Sequence, residues 1–221
     1  MKNFVVAIDG PAGAGKSTVA RLAAKELGCT YIDTGAMYRA VAWKTLQQNQ
    51  PVTDELVLGV LPDIHVELFY QDGKTTVKVD GIDVTYAIRT PEVTAIVSKV
   101  AALGPVREKM VDLQRHMAEN GSVLMDGRDI ATNVFPNADV KIFLTASIEE
   151  RAHRRFKECK DKGYDVKLEE LQADIAARDK ADSERAISPL VRAEDAELLD
   201  TSDMSVDEVV RFIVDRCHEV K

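Results

Sequence analysis

The stretch IDGPAGAGKST, residues 8–18, limits the possible folds more than any other part of the chain. Gly10, Gly15, Lys16 and Ser17 complete the spacing GxxxxGKS, with an apolar run before it and a helix-like pattern after it. Glycine is entropically costly, so such a cluster marks backbone that must approach something closely. The loop from Gly10 through Ala12, Gly13, Ala14, Gly15, Lys16, Ser17 and Thr18 can wrap successive N–H groups around a phosphate chain. The following helix adds its unsatisfied N–H groups and positive dipole end. Lys16 reaches the β and γ oxygens of a nucleoside triphosphate, and the Ser17 hydroxyl can ligate Mg2+. The plainer alternative is a glycine-rich turn bearing an exposed lysine. A dinucleotide fingerprint is excluded, because the third glycine position after Gly13-x-Gly15 is Thr18.

Short apolar runs at residues 4–8, 30–32, 122–125, 140–144 and 198–199 predict strands buried on both faces. Helical spacing predicts helices over residues 18–27, ended by Gly28, and over 35–47, 92–103 and 106–119. Further helices are predicted from 148 to about 162, from 168 to about 185, and over 206–218. This alternation implies an α/β fold with a central parallel sheet of about five strands, helices on both faces, and ligands at the carboxyl ends of the strands. Residues 64–84 instead alternate with period two around Asp72-Gly73 and Asp80-Gly81, which predicts a small antiparallel β insertion.

Net charge constrains partners. At −8 the chain would repel nucleic acid and anionic membranes, so any anion site must be a local concentration of Lys and Arg. Cys29, Cys159 and Cys217 are far apart and lack metal-ligand spacing, which fits a reducing compartment. The apolar run near the amino terminus is too short for a secretory or membrane segment, so a cytoplasmic location is expected. No exposed apolar stripe points to assembly, and a monomer is expected.

A phosphate loop indicates a nucleotide without fixing the outcome. A switch or motor that hydrolyses the triphosphate is one class, but none of the asparagines precedes a lysine, as the NKxD base-reading motif requires, and no LSGGQ-like signature occurs. A kinase that passes the γ-phosphoryl to a small acceptor is the other. Arg151, Arg154 and Arg155 share a predicted helix, with Arg151 and Arg155 on one face, and Arg178, Asp182 and Arg185 share a face of the next. Arginine forks suit phosphate, although ERAHRR alone also suits a solvated surface helix. Two strand ends carry further arginines: DTGAMYR, with Thr34, Tyr38 and Arg39, and DGRD, with Asp126, Arg128 and Asp129. Thr34 is alternatively a helix cap with Tyr38 packing behind it. Asp126 ends an apolar strand as a Walker B acid does and can orient Mg2+ through water; pairing with Arg128 or capping a turn are its alternatives.

In this order and spacing, IDGPAGAGKST, DTGAMYRAVA, RTPEV, DGRDIAT, VKIFLTAS with ERAHRR, and ARDKADSERAISPL resemble bacterial cytidylate kinases over essentially the whole chain. The resemblance implies a single P-loop kinase domain over residues 1–221, an enlarged monophosphate-binding insertion at about 60–90, and a helical lid at about 151–167. It implies ATP and Mg2+ at Gly13, Gly15, Lys16, Ser17 and Thr18. It places the CMP phosphate on Arg39, Arg128 and Arg185, and the sugar hydroxyls on Arg178 and Asp182. It assigns cytosine to Ser98, Arg107 and Asp129, with Thr34 and Tyr38 nearby, and gives Arg151 and Arg155 to the lid. The implied partners are ATP, CMP and dCMP. Adenine is expected between the lid helix and the loop near Thr201 and Ser202.

Overall fold

Five short runs form one parallel sheet: the inner runs are buried on both faces, whereas the run at 197–200 lies at the sheet edge and is largely exposed, Leu198 by 53%, against the expectation of burial on both faces. In the computed structural model, which describes residues 3–161 and 163–220, these strands are β1 (Val5–Asp9), β2 (Thr30–Asp33), β6 (Val123–Gly127), β7 (Val140–Thr145) and β8 (Glu197–Asp200). Their order is β2-β6-β1-β7-β8, with every neighbour parallel. Alternation along β1 divides the core: Val6 and Ile8 join one buried cluster and Ala7 the other. The first cluster lies under α1 (Lys16–Leu27) and α8 (Val206–Glu219). The second lies under α2 (Thr34–Leu46), α3 (Asp54–Val60), α4 (Pro91–Ala102) and α5 (Gly104–Met117). Helix α3 is absent from the sequence expectations.

The predicted insertion is a separate antiparallel sheet of β3 (Val66–Gln71), β4 (Lys74–Val79) and β5 (Ile82–Asp83). Both turns use positive φ at two successive residues, 53° and 75° at Asp72-Gly73 and 52° and 79° at Asp80-Gly81, as two-residue hairpins require. The β3–β4 tip is tied to α1: Arg21 Nη1 donates to the Gly73 carbonyl at 3.1 Å, and the Tyr70 hydroxyl donates to the Arg21 carbonyl at 3.1 Å.

Two local features differ from the sequence expectations. Helix α2 begins at Thr34, and its cap is Asp33, whose Oδ1 accepts from the Ala36 N–H at 2.9 Å; Thr34 instead donates its hydroxyl to the Asp126 carbonyl at 2.7 Å. After β6 the chain makes one wide helical turn, Ile130–Val134, which periodicity cannot signal in so short a segment. Asp9 holds that turn by accepting the Ile130 and Ala131 N–H groups at 2.9 and 2.7 Å. Helices α6 (Ile148–Asp161) and α7 (Leu168–Glu184) then pack together over the loop side of the sheet. The expected end of α6 at Lys162 lies outside the described residues.

Gly10 leaves β1 against the backbone of β7. Its φ is 152°, and a Cβ there would stand 1.9 Å from the Leu144 carbonyl oxygen. That neighbour is backbone, not a flexible side chain that can yield. Gly10→Ala is therefore expected to lose at least about 3 kcal/mol of unfolding free energy in a urea titration. A loss under about 1 kcal/mol would contradict this placement.

Candidate active site

The loop after β1 reaches α1 through Gly13 and Gly15, at φ 75° and 87°. Gly15 is the N-cap of α1, no side chain caps it, and the first turn carries no acidic residue. That end is open to an anion. Lys16 is buried beside it and donates from Nζ to the Pro11 carbonyl at 2.7 Å. Burial, then the Arg128 guanidinium, pulls its pKa well below the ordinary value.

The loop opens into a cleft of about 1580 Å³ at the carboxyl edge of the sheet. Of the residues singled out from sequence, Ala12 to Thr18, Arg39, Ser98, Asp126, Arg128, Arg155 and Arg178 line it. Thr201 of the expected adenine region also lines it, whereas Ser202 turns away to bond Asp200 and the Ser147 N–H. A separate groove of about 820 Å³ between α5 and the insertion contains neither the loop nor an arginine.

Behind the cleft wall lies a buried polar network. Asp129 pairs with Arg107, accepts from Asn133 Nδ2 at 3.0 Å, and has Arg185 Nη2 at 3.6 Å. The Arg107 guanidinium lies 5.4 Å from the centroid of the Tyr38 ring, and Arg128 Nε donates to Asp182 at 2.9 Å. Arg107 Nε and Arg178 Nε are buried with no hydrogen-bond partner among the described residues, and the Tyr38 hydroxyl has the Gln114 side chain near it. A group of orphaned polar atoms in one place marks a site built for a polar guest.

Gly10 lies under the loop, outside the cleft. Arg151 is also outside it: Nη1 donates to the Ala12 carbonyl at 2.9 Å and to Asp179 at 2.6 Å, and Asp179 accepts from the Ala12 N–H at 3.2 Å. That guanidinium braces the back of the phosphate loop. Arg154 takes the cleft position instead, donating to the Thr201 and Ala14 carbonyls at 2.6 and 3.3 Å. Among the cleft residues missed from sequence are Asp33 and Arg89, which bond at 3.0 Å between β2 and the short turn Ala87–Arg89 after the insertion. RTPEV, which begins at Arg89, was the available signal.

Cations are crowded here. Burial, then Arg178, lowers Arg39 to about 9; burial, then Arg128, lowers Arg178 to about 10; burial, then Arg107, lowers Arg185. On the opposite wall Asp126 accepts from Ser17 Oγ at 2.9 Å and from the Tyr31 hydroxyl at 2.6 Å.

A five-stranded parallel sheet, a glycine loop leading into an uncapped helix, and an arginine-lined cleft at the strand ends define a P-loop protein of the kinase type. The fold resembles that of an uncharacterized protein from Eubacterium ventriosum, covering 99% of both chains with TM-score 0.56 and 12% identity. A gluconokinase from Sinorhizobium meliloti is similar over 99% of this chain and 95% of its own, with TM-score 0.50 and 13% identity. Residues 6–219 match the cytidylate kinase family model, and the chain belongs to that family. A cytidylate kinase of Desulforamulus reducens is 55% identical over 95% of this chain and 94% of its own length. One from Bacillus cytotoxicus is 53% identical over 96% and 95%, respectively.

Burial, then Asp33, raises Asp126 from 3.8 to about 6. A folded-state value above the unfolded one means that the folded protein takes up the proton first as pH falls. Ionised Asp126 thus costs stability above about pH 6, and the cost is relieved between pH 6 and pH 4. Asp126→Asn is expected to be more stable than the parent at pH 7.5, by on the order of 1–3 kcal/mol. The advantage should shrink across that window in urea titrations at several pH values, and a variant less stable at pH 7.5 would contradict the burial argument.

Proposed function

We propose that this chain transfers the γ-phosphoryl of ATP to CMP or dCMP, giving ADP and CDP or dCDP. The observation that carries the reading is the crowd of half-buried, mutually repelling arginines on the far wall of a cleft whose near wall is a phosphate loop. One polyanion satisfies the loop. The arginines need a second.

The acceptor is itself a phosphate with a second pKa near 6, so its oxygen is a competent nucleophile at neutral pH and no general base is required. Catalysis then consists of holding two anions in line, offsetting their repulsion and excluding water. Lys16 and the loop N–H groups hold the ATP phosphates, and Arg39, Arg128 and Arg185 hold the CMP phosphate. Arg178 and Asp182 face the sugar. Arg155 closes from the lid at about 151–167, while Arg151 fixes the loop from behind. The insertion at about 60–90 closes from the other side; its tip is tied to α1, which favours bending near its base.

Ser17 and Asp126 fit Mg2+: a hydroxyl and a carboxylate are juxtaposed at the loop, and among the described residues no cluster of three His, Cys, Asp or Glu offers a fuller cage. That sparse donor set suits an ion that keeps several waters and takes substrate oxygens. When bound, Mg2+ supplies neutralisation of the transferring phosphates.

Cytosine is read by Asp129, with Arg107 and Ser98 around it. Its exocyclic amine donates where uracil has a carbonyl, so an acid such as Asp129 favours cytosine and meets a like dipole in uracil. No described helix is long and apolar enough to cross a membrane, and we infer a cytoplasmic monomer whose partners are nucleotides rather than nucleic acid or membrane.

In a coupled ADP-release assay, CMP and dCMP should be phosphorylated well and UMP poorly; a preference for AMP or UMP would overturn the substrate assignment. Lys16→Ala should lower kcat by at least about 10²-fold while still unfolding in one cooperative transition. Undiminished turnover in that folded variant would mean that the loop does not bind the phosphates.

A further inference from the structure

Both oxygens of the metal-site carboxylate are already engaged. Ser17, on α1, donates to Asp126 Oδ2 at 2.9 Å, and Tyr31, on β2, donates to Oδ1 at 2.6 Å. Strands β2 and β6 pair with Tyr31 opposite Leu124 and Asp33 opposite Asp126. Tyr31 and Asp126 therefore project from the same sheet face, two positions apart, and the phenol reaches forward to the carboxylate. Tyr31 is only 3% exposed. A short bond from a hydroxyl to a buried carboxylate is charge-assisted and directional, so it fixes which way the free lone pairs point.

The insertion grips both donors. The Tyr70 ring of β3 meets the Tyr31 ring edge-on, with centroids 5.8 Å apart and planes at 80°. The Tyr70 hydroxyl bonds the Arg21 carbonyl, and Arg21 in turn bonds the Gly73 carbonyl at the hairpin tip. Arg21 lies one helical turn after Ser17 on α1. The hairpin tip thus rests on the strand that carries one donor to Asp126 and on the helix that carries the other.

We propose that Tyr31 is a positioning residue for Asp126, and that the β insertion braces the metal site through Tyr70 in addition to its place beside the monophosphate. This rests on the kinase reading above. Outer groups that orient a metal-binding carboxylate typically contribute tenfold or more to metal affinity. A brace at this point would make the insertion matter to the ATP half of the reaction as well as to the CMP half.

The test uses the full chain and Mn2+ as the probe, with free Mn2+ read by electron paramagnetic resonance in the presence of ADP and protein-bound Mn2+ taken as the loss beyond a matched titration of ADP alone. Tyr31→Phe keeps the ring and its edge contact and removes only the hydroxyl. It should weaken Mn2+ binding about tenfold, while CMP affinity by calorimetry stays within twofold of the parent. Tyr70→Ala should weaken Mn2+ binding in the same direction by about threefold, and Tyr70→Phe, which keeps the ring edge on Tyr31 but removes the bond to the Arg21 carbonyl, should fall between Tyr70→Ala and the parent. Mn2+ binding by Tyr31→Phe within twofold of the parent would overturn the positioning role. Equal losses of Mn2+ and CMP affinity would overturn it too, because that is what general loosening produces. Parental Mn2+ binding by Tyr70→Ala would remove the insertion from the account. A parent protein that binds no Mn2+ with ADP would refute the kinase reading and this inference together, whereas a normal parent beside an unaltered Tyr31→Phe refutes the inference alone.

Discussion

Like charges held together out of water are the constraint on which the rest of the molecule depends. Two unit charges 4 Å apart repel by about 4 kcal/mol at an effective dielectric constant of 20, and desolvating each costs several more. Lys16, and the half-buried Arg39, Arg178 and Arg185, carry part of that cost at and behind one cleft in a protein whose net charge is −8. Partners for part of this charge exist: Asp182 holds Arg128, and Asp129 faces both Arg107 and Arg185. Lys16 has a carbonyl, and Arg39 has the Ile88 carbonyl and the Thr94 hydroxyl. The surplus is what a nucleoside triphosphate and a nucleoside monophosphate would neutralise together.

A parallel sheet can deliver such a site because all its strands end at one edge. Asp33 and Asp126 stand opposite each other at the ends of β2 and β6, Asp9 ends β1 one position further on and on the other sheet face, and the structure gives each a separate task. Asp9 anchors the wide turn that carries the wall behind Asp129, and Asp33 caps α2, the helix of Arg39. Asp126 faces Ser17. Burial raises Asp126 in the cleft, and Asp9 outside it, to about 6, so Asp126 is also held at a cost when ionised. Stability given up at a binding site is regained when the ligand arrives.

Much of this was legible in the chain. The five apolar runs, the two Asp-Gly turns and the glycine loop each follow from a local rule, and each element formed where the rule placed it. Legibility failed where a side chain's task depends on a partner far along the sequence. A helix wheel pairs Arg151 with Arg155, but it cannot say that the loop at Ala12 covers Arg151 and leaves Arg154 at the cleft. Thr34 reads as a cap until β6 is laid beside it and the Asp126 carbonyl takes its hydroxyl. The Tyr31–Tyr70 contact joins two unrelated patterns, one buried strand and one hairpin, and neither names the other.

The central claim is that one cleft brings two nucleotides together on opposite cationic walls. A crystal structure with a bisubstrate analogue, adenosine joined to cytidine through a chain of five phosphates, tests it most directly. The account predicts the adenosine-side phosphates on the loop N–H groups and Lys16, the cytidine-side phosphates on Arg39, Arg128 and Arg185, and cytosine at Asp129. An analogue bound with its cytidine half outside the cleft, touching none of those arginines, would contradict it.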